Sequence, residues 1–273
     1  MLISASIVLY KTDVRQLTAA VNSYAPSKNR ILYIIDNSPV KTFSLDSLGE
    51  SVREYVYYHF LGVNKGYGAG HNTAIKMAVD LKSKYHLVLN PDVEFNSAII
   101  DKIAQFMETD ESIAQVMPAV FNKNGELQYL CKLLPSPADL FFKRFLPKSA
   151  SKKILMRYQL KFADYNRRMN PPCLSGCFMF FRTSAFKEAG IFDERFFMYA
   201  EDIDITRRMH ILYKTIYYPD VSIIHIHKAE SYKSLSMFIA HILSIIKYFN
   251  KWGWFFDKER TLINNNFLEN GIF

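Results

Sequence analysis

Three carboxylates fall within four positions of the segment MYAEDIDITRRM, residues 198–209. Acids are favoured in the first turn of a helix, and Asp204 stands four residues before Arg208, the favourable orientation for an ion pair. Glu201 and Asp202 lie where a loop would enter the helix, a position from which side chains can reach a cleft. The segment is therefore open to three interpretations: a solvated helix start, a metal site, or a catalytic base.

A glycine-rich stretch, NKGYGAGHN at residues 64–72, precedes a predicted helix. Glycines at such a point allow backbone N–H groups to approach a phosphate or a sugar. The stretch lacks the Gly-Lys-Ser/Thr ending of a P-loop and the glycine spacing of a dinucleotide-binding turn. It predicts either a loop that contacts a phosphorylated ligand or a flexible start of a helix.

Two further groups of residues could bind a metal ion. Asn90-Pro91-Asp92 follows an apolar run, and one carboxylate is enough to hold Mg²⁺ or Mn²⁺ if the substrate supplies a diphosphate. His225 and His227 stand at strand spacing, so that both rings point to one side. The two histidines favour a metal or phosphate role, and the alternative for them is burial in the core. The alternative for Asn90-Pro91-Asp92 is an ordinary turn.

The strands and helices that position these residues can be predicted from the sequence. Short apolar runs alternate with helical patterns over the first two hundred residues. The alternation predicts an α/β fold whose sheet is parallel or mostly parallel, with helices on both faces. Ligands bind beyond the carboxyl ends of the strands in such sheets. The predicted strands are 3–10, 31–35 and 85–89, and the predicted helices are 14–24, 69–82 and 98–107.

Composition narrows the class of protein. The 273 residues carry a net charge of +8, and residues 143–168 hold nine basic residues and one acid. Such a patch could contact nucleic acid, an anionic membrane or a phosphorylated substrate. The three cysteines show no metal or disulfide spacing, and the first residues look like a strand rather than a signal peptide. We therefore expect an intracellular protein.

The last forty residues form a separate pattern. Apolar side chains between Phe238 and Trp252 follow one helical stripe, whereas Ser236, Ser244, Lys247 and Lys251 fall on the other side. No apolar run reaches the length of a membrane-spanning helix. The aromatic residues after this helix, with lysines around them, suit a membrane interface, and packing on the catalytic domain or on a second subunit is the alternative.

The order of seven motifs identifies a resemblance. SIVLYK, IIDNS, NKGYGAGHN, LVLNPDV, LSGCFMFFR, GIFDERFFMYAEDIDITRR and IIHIHKAES occur in sequence between residues 3 and 231. The chain resembles the family 2 glycosyltransferases of bacterial polysaccharide synthesis, in their rhamnosyltransferase-like branch. The resemblance implies a GT-A fold over residues 1–231, with residues 232–273 as a C-terminal amphipathic helical segment.

The resemblance also implies roles for individual residues. Asp202 corresponds to the general base, with Glu201 orienting the base or the acceptor. Asp92 corresponds to the last acid of the DxD motif that holds Mg²⁺ or Mn²⁺, with His225 near the metal. Asn90 replaces the first acid, which leaves strict metal dependence open. The implied donor-binding residues are Tyr10, Asp36, Asn37, Asn64, Gly66, Tyr67, Gly68, Gly70, Asn72, Asn90 and Asp92, and the acceptor-side residues are Ser175, Gly176 and Glu201.

The implied reaction is an inverting transfer from a nucleoside-diphosphate sugar to a hydroxyl of a lipid-linked or surface-polysaccharide acceptor. dTDP-rhamnose is the leading donor, and a UDP-hexose or UDP-galactofuranose is the first alternative. The expected location is the cytoplasmic face of the plasma membrane, as a peripheral protein and possible homodimer. A rival of another class is a binding protein for nucleotide sugars or nucleic acid, since Phe145, Tyr158, Phe162 and Tyr165 interleave with the basic residues.

Overall fold

A mixed, mostly parallel sheet forms the centre of the chain in a computed structural model, which describes residues 1–41, 43–140, 154–226 and 235–272. Its eight strands run in the order β3-β2-β1-β4-β9-β6-β10-β5, and a small second sheet pairs β7 with β8. The strands are β1 Ile3–Leu9, β2 Arg30–Asp36, β3 Val56–Phe60, β4 Tyr85–Leu89, β5 Val93–Glu94, β6 Ile113–Phe121, β7 Cys131–Lys132, β8 Cys173–Leu174, β9 Phe178–Arg182 and β10 Lys214–His225.

The predicted strands and helices of the first half are confirmed within two residues at each end. β1 pairs in parallel with β2 and with β4, and β2 with β3, whereas β9 runs antiparallel between β4 and β6. The helices are α1 Val14–Tyr24, α2 Glu50–Arg53, α3 Tyr67–Asp80, α4 Ala98–Glu108, α5 Phe186–Ala189, α6 Glu201–Leu212, α7 Leu235–Trp252 and α8 Lys258–Asn270, with short 3-10 turns at Leu45–Ser47 and Thr183–Ala185 and helical residues also at 137–140 and 154–158.

Buried side chains alternate between the two faces of the sheet. In β2, Leu32 and Ile34 join the large core on the α1 and α4 side, whereas Ile31, Tyr33 and Ile35 pack towards α3. Burial on both faces explains why these strands read as nearly continuous apolar runs in the sequence. The sheet is therefore covered by helices on both sides.

Polar residues lie together at the carboxyl ends of the parallel strands. β1, β2 and β4 are parallel neighbours, so Tyr10, Asp36 and Asn90 all follow strand ends on the same side. The antiparallel strand β9 begins there, and the N–H of Asn90 donates to the carbonyl of Cys177 at 3.0 Å. The tip of the turn between β8 and β9 thus lies beside the end of β4.

The C-terminal helices are present and pack against α6. Tyr248, Phe249 and Ser244 are buried on α7, whereas Ile239 and Leu243 are about half exposed. The predicted phase of the stripe is therefore wrong at Ser244 and Lys251, which lie on the inner face, and at Ile239, which lies on the outer face. Within the described ranges, none of the helices combines the length and the apolarity that crossing a membrane requires.

Candidate active site

The glycine-rich segment forms the first turn of α3 and the loop before it. Gly66 has φ of +91°, and a Cβ there would lie 2.2 Å from the carbonyl oxygen of Phe197. The N–H of Tyr67 donates to the same oxygen at 2.9 Å. Only glycine satisfies both the backbone conformation and the close approach. The contact between Gly66 and Phe197 therefore joins the start of α3 to the segment that leads into α6.

Tyr67 connects this loop to the strand ends. Its hydroxyl lies 2.6 Å from the carbonyl oxygen of Gly176 and 3.0 Å from Oδ1 of Asn90. Burial, followed by the negative charges of Glu201 and other nearby groups including Asp202, holds the pKa of Tyr67 well above its ordinary value. The phenol therefore stays protonated and acts as a fixed donor at the centre of the site.

Asp202 lies in the first turn of α6 and faces the turn between β8 and β9. Its Oδ2 accepts a hydrogen bond from the N–H of Gly176 at 3.2 Å, and its Oδ1 accepts one from the N–H of Ile203 at 2.9 Å. A Cβ on Gly176 would lie 3.4 Å from the Cβ of Asp202. Two backbone donors thus fix the carboxylate beside predicted acceptor-side residues.

Glu201 is buried beside Asp202. Its Oε2 has no hydrogen-bond partner among the described residues. Burial first, and then the negative charge of Asp202, raise the pKa of Glu201 above its ordinary value. At neutral pH Glu201 therefore keeps its proton.

α6 begins under backbone strain. Tyr199 and Ala200 both have positive φ, 68° and 66°, and neither is a glycine. Each such residue costs about 1 kcal/mol or more and persists only where its surroundings impose it. The strained turn points the first turn of α6, with Glu201 and Asp202, towards the strand ends.

Asp92 and His225 lie next to each other, as the sequence predicts for a metal pair. Oδ1 of Asp92 is buried, has no hydrogen-bond partner among the described residues and lies 3.5 Å from Nε2 of His225. The side-chain amide of Gln128 donates from Nε2 to the backbone carbonyl of His225 at 2.9 Å. This bond turns Oε1 of Gln128 towards Nδ1 of the His225 ring, at 3.2 Å. An amide oxygen only accepts, so in the neutral ring the proton is on Nδ1 and Nε2 is a lone-pair donor facing Asp92.

Two lone-pair donors facing each other across this distance fit a divalent cation. No group of three or more His, Cys, Asp or Glu side chains that could hold a metal occurs in the part of the chain that the structure describes. The remaining ligands would therefore come from the substrate and from water, as is usual for Mg²⁺. His227 lies outside the described residues.

Asp36 and Asn37, which the resemblance implies bind the donor, lie at the end of β2. Asp36 is buried, and its carboxylate accepts from the N–H of Ser38 at 2.8 Å and from the hydroxyl of Tyr58 at 2.6 Å. The amide of Asn37 donates to the carbonyl of Gly66 at 2.9 Å. These bonds join the end of β2 to β3 and to the glycine-rich loop, while Tyr10 is exposed at the end of β1.

Three residues of the glycine-rich segment hold α3 in place. Asn72 is buried, and its amide exchanges hydrogen bonds of 2.8 and 3.0 Å with the backbone of Phe192. A Cβ on Gly68 would lie 2.9 Å from Phe192, and one on Gly70 would lie 2.8 Å from Val8. Asn64 accepts a hydrogen bond from the N–H of Gly66 at 3.0 Å. The contribution of Asn64, Gly68, Gly70 and Asn72 to donor binding stays a prediction.

The interpretation of residues 198–209 as a solvated helix start is wrong. Asp204 is completely buried, and Glu201 is nearly so. The predicted pair of Asp204 with Arg208 is confirmed at 2.9 Å. Asp204 also contacts Lys251 and Trp252 of α7, which the local sequence pattern could not indicate because these partners are over forty positions away.

The described aromatic residues of the basic stretch do not form a surface for stacking bases. Tyr158 and Tyr165 are buried in the main core, whereas Phe162 is half exposed. The guanidinium of Arg168 lies 4.9 Å from each of the Phe106 and Tyr218 rings and pairs with Asp220. Phe145 lies outside the described residues. The described part of the stretch therefore lacks the array of exposed rings that single-strand binding requires.

The sequence did not indicate the contacts that four residues make with ionisable groups of the site: Gln128, Tyr58, Lys251 and Trp252. Gln128 follows a short Asn-Gly turn, and nothing near it in the sequence marks it as a partner of His225. Tyr58 and Trp252 carry no charge or spacing that would separate them from core residues. Their contacts with ionisable groups arise only when distant strands and helices come together.

Comparisons with known proteins agree with this architecture. No protein-family model matches the chain. An N-acetylglucosaminyl-diphospho-decaprenol L-rhamnosyltransferase of Mycobacterium tuberculosis is 27% identical over 249 residues, covering 81% of this chain and 78% of the relative. The low-salt glycan biosynthesis hexosyltransferase Agl10 of Haloferax volcanii is 28% identical over 212 residues, covering 76% of this chain and 61% of the relative.

Solved structures share the fold. S. aureus TarS 1-349 superposes with a TM-score of 0.60 at 16% identity, covering 98% of this chain and 71% of TarS 1-349. GalNAc-T7, solved with UDP, GalNAc and Mn²⁺, gives 0.63 at 15% identity, and the chain spans about half of it, 49%. Fold and sequence together define the class of protein: a glycosyltransferase with a GT-A fold, similar in sequence to GT2-like transferases. Its homology to the mycobacterial and archaeal transferases is distant.

Proposed function

We propose that this enzyme catalyses an inverting sugar transfer with Asp202 as the general base. The observation that carries the proposal is the meeting of Asp202, Glu201, Asp92 and Asn90 around Tyr67, next to the glycine-rich loop, at the carboxyl ends of the strands. Carboxylates from two different parts of the chain near Tyr67 fit a reaction that needs one group for a proton and another for a departing diphosphate.

Asp202 takes the proton of the acceptor hydroxyl. The oxygen of that hydroxyl attacks the anomeric carbon from the face opposite the diphosphate, and the bond from that carbon to the diphosphate oxygen breaks with its electron pair. The products are the glycosylated acceptor and a nucleoside diphosphate. The N–H groups of Gly176 and Ile203 hold the carboxylate in one orientation for this step.

Glu201 has a different role because it is held protonated. A neutral carboxyl group can donate a hydrogen bond, so Glu201 orients the acceptor oxygen or Asp202 rather than competing for the proton. Two adjacent carboxyl groups with separated pKa values are a common way to divide acid and base roles in an active site.

Asp92 and His225 would hold a divalent cation, with Gln128 fixing the histidine ring. Such an ion neutralises the charge that develops on a departing diphosphate. The backbone N–H groups of the first turn of α3 after Tyr67 are the chain's own donors on that side of the site.

The donor is a nucleoside-diphosphate sugar, with dTDP-rhamnose as the leading choice. The mycobacterial relative named as an L-rhamnosyltransferase supports it. A UDP-hexose, or UDP-galactofuranose, is the alternative, supported by the archaeal hexosyltransferase and by TarS, which has been solved with UDP-GlcNAc at 15% identity to this chain. The acceptor is proposed to be a lipid-linked or surface-polysaccharide glycan.

A panel of nucleotide sugars, with and without Mn²⁺, tests the proposal by thermal stabilisation and by release of the nucleoside diphosphate. A ligand at about 100 times its dissociation constant adds roughly 2.7 kcal/mol of stability. A shift with dTDP-rhamnose and not with UDP-sugars supports the leading donor, and the reverse supports the alternative. A single-stranded oligonucleotide that stabilises the protein where every nucleotide sugar fails would contradict the enzyme proposal.

A further inference from the structure

Asp204 is a completely buried carboxylate held by three donors from two helices. Its Oδ2 accepts from Arg208 of its own helix at 2.9 Å. Its Oδ1 accepts from Nζ of Lys251 at 2.7 Å and from Nε1 of Trp252 at 2.8 Å, both at the end of α7. Burying an ion without such partners would cost several kcal/mol, so this cluster strongly constrains how α6 and α7 pack.

Lys251 also joins α7 to the segment before α6. Its Nζ lies 2.8 Å from Oδ2 of Asp193. In the same segment, residues 190–200, the backbone of Phe192 is bonded to Asn72, and the carbonyl of Phe197 is bonded to Tyr67. One ammonium group therefore bridges the catalytic helix and the segment that supports the glycine-rich loop.

Arg207 forms a second anchor between α6 and the C-terminal helices. Its buried guanidinium pairs with Asp257 at 2.7 Å and with Glu259 at 2.8 Å. Its Cζ lies 4.0 Å from the centre of the Trp252 ring. Asp204 and Arg207, about one turn apart on α6, thus contact α7 and α8, so the C-terminal helices support one side of α6.

The first turn of α6 needs this external support. The strained residues Tyr199 and Ala200 precede it, and Ala200 offers no side-chain cap. A strained turn without a cap holds its geometry only when other contacts impose it. The contacts of Asp204, two positions after Asp202, are close enough to do so.

From this geometry we infer that Lys251 and Trp252 are positioning residues for catalysis, acting through Asp204 to fix the carboxylate of Asp202. The inference rests on the proposed function of Asp202. It gives the C-terminal helices a part in the chemistry although they contribute no group to the reacting atoms.

The test compares Lys251→Met, Lys251→Arg and Trp252→Phe with a matched control, Lys258→Met, which removes an exposed lysine at the start of α8. For each variant, kcat, donor affinity and amide hydrogen exchange along α6 are measured. We expect Lys251→Met to lower kcat by about 10- to 100-fold, since displacements near 1 Å cost that much. Donor affinity should change less than about threefold, because the proposed donor residues lie on α3 and the strand ends.

Lys251→Arg should recover most of kcat, and exchange at the first turn of α6 should rise in Lys251→Met and in Trp252→Phe but not in Lys251→Arg or Lys258→Met. A purely structural role predicts that kcat and donor affinity fall together with the folded fraction, and that result would overturn the inference. So would unchanged α6 exchange in both Lys251→Met and Trp252→Phe. If Asp202→Asn stays active while Lys251→Met loses kcat, the base assignment fails; the exchange data still report separately whether α7 braces α6.

Discussion

At the scale of residues, the chemistry depends on how two adjacent acids are kept different. Asp202 accepts hydrogen bonds from two backbone N–H groups, whereas an oxygen of Glu201 is buried without a partner among the described residues. Burial outweighs the backbone hydrogen bonds that the Glu201 carboxyl group also accepts, so Glu201 keeps its proton. The sequence Glu-Asp shows the pair but not this difference.

Asp202→Asn should abolish most of the activity. A general base contributes about 10²- to 10⁴-fold to rate, whereas the loss of one of the two backbone hydrogen bonds costs about 0.5 to 1.5 kcal/mol of stability. We expect kcat to fall by that factor with donor affinity nearly intact, as measured by single-turnover kinetics and calorimetry. Asp101→Asn is the matched control, because Asp101 is an exposed acid in the first turn of α4. Full activity in Asp202→Asn would show that the base is another residue.

Asp204→Asn is not a suitable control, although an exposed acid at that position would have been one. The side chain is buried and paired with Arg208 and Lys251. Removing its charge leaves both cations with an incomplete set of partners, which is strongly destabilising in buried positions.

Glu201→Gln should stabilise the protein increasingly as pH rises. The pKa of Glu201 in the folded protein lies above its ordinary value, so the folded chain keeps a proton that the unfolded chain loses. The stabilising contribution of the wild-type group is complete below the unfolded pKa of about 4.3 and declines as pH rises towards the folded pKa. Glutamine is neutral throughout and avoids that decline.

Melting temperatures of the wild type and Glu201→Gln should therefore coincide below about pH 4.3, separate as pH rises to the folded pKa of about 8, and differ by a constant amount above it. Glu111→Gln, at an exposed glutamate, provides the control and should show no such trend. A constant difference between wild type and Glu201→Gln at all pH values would mean that Glu201 is ionised in the folded state.

At the scale of elements, the candidate metal pair depends on strand pairing. Asp92 precedes the two-residue strand β5, which pairs antiparallel with the end of β10 and brings His225 opposite Val93. The carbonyl of Asp92 also accepts from the N–H of Ile226 at 2.9 Å. Residues separated by more than 130 positions are therefore held at one corner by backbone bonds, and Gln128 adds the bond that fixes the ring.

Gln128→Leu should weaken Mn²⁺ binding by about 10- to 100-fold, because partners that orient a metal-binding histidine typically contribute that much. Asp92→Ala should weaken it further and should also reduce donor affinity. Titration of free Mn²⁺ by electron paramagnetic resonance, with and without nucleoside diphosphate, measures both effects. Gln105→Leu, at an exposed position of α4, is the control. Wild-type Mn²⁺ affinity in Asp92→Ala would exclude this corner as the metal site.

At the scale of the whole molecule, α7 has two apolar faces. The inner face packs on α6, and the outer face exposes Ile239 and Leu243. Beyond its end, Phe255 and Phe256 are 77% and 97% exposed. Packing of the C-terminal segment on the rest of the chain is therefore observed, and a membrane-facing role for the outer surface stays a proposal, favoured by the net charge of +8.

The double variant Phe255→Ser and Phe256→Ser should bind anionic vesicles at least about tenfold more weakly, since each buried Phe contributes about 1.5 to 3 kcal/mol. Co-sedimentation measures the binding, and Leu81→Ser, at another exposed apolar position, is the control. Unchanged sedimentation would instead favour a second copy of the chain as the occupant of this surface. Deleting residues 234–273 is a poorer test, because it would remove the partners of Arg207 and Asp204 and destabilise the fold.

Periodicity and motif order in the sequence determined the strands, the first helices, the GT-A class and the residues at the strand ends. These features are local: apolar spacing sets each element, and parallel strands necessarily bring their carboxyl ends to one edge. The burial of the charged side chains was decided only by the tertiary structure, because it depends on which distant residues pack over them. Asp204 reads as a solvated acid in its own helix, and it becomes a buried anchor only because Lys251 and Trp252 fold back onto it. The same holds for the tautomer of His225 and the proton of Glu201, which distant residues control through desolvation and hydrogen bonding.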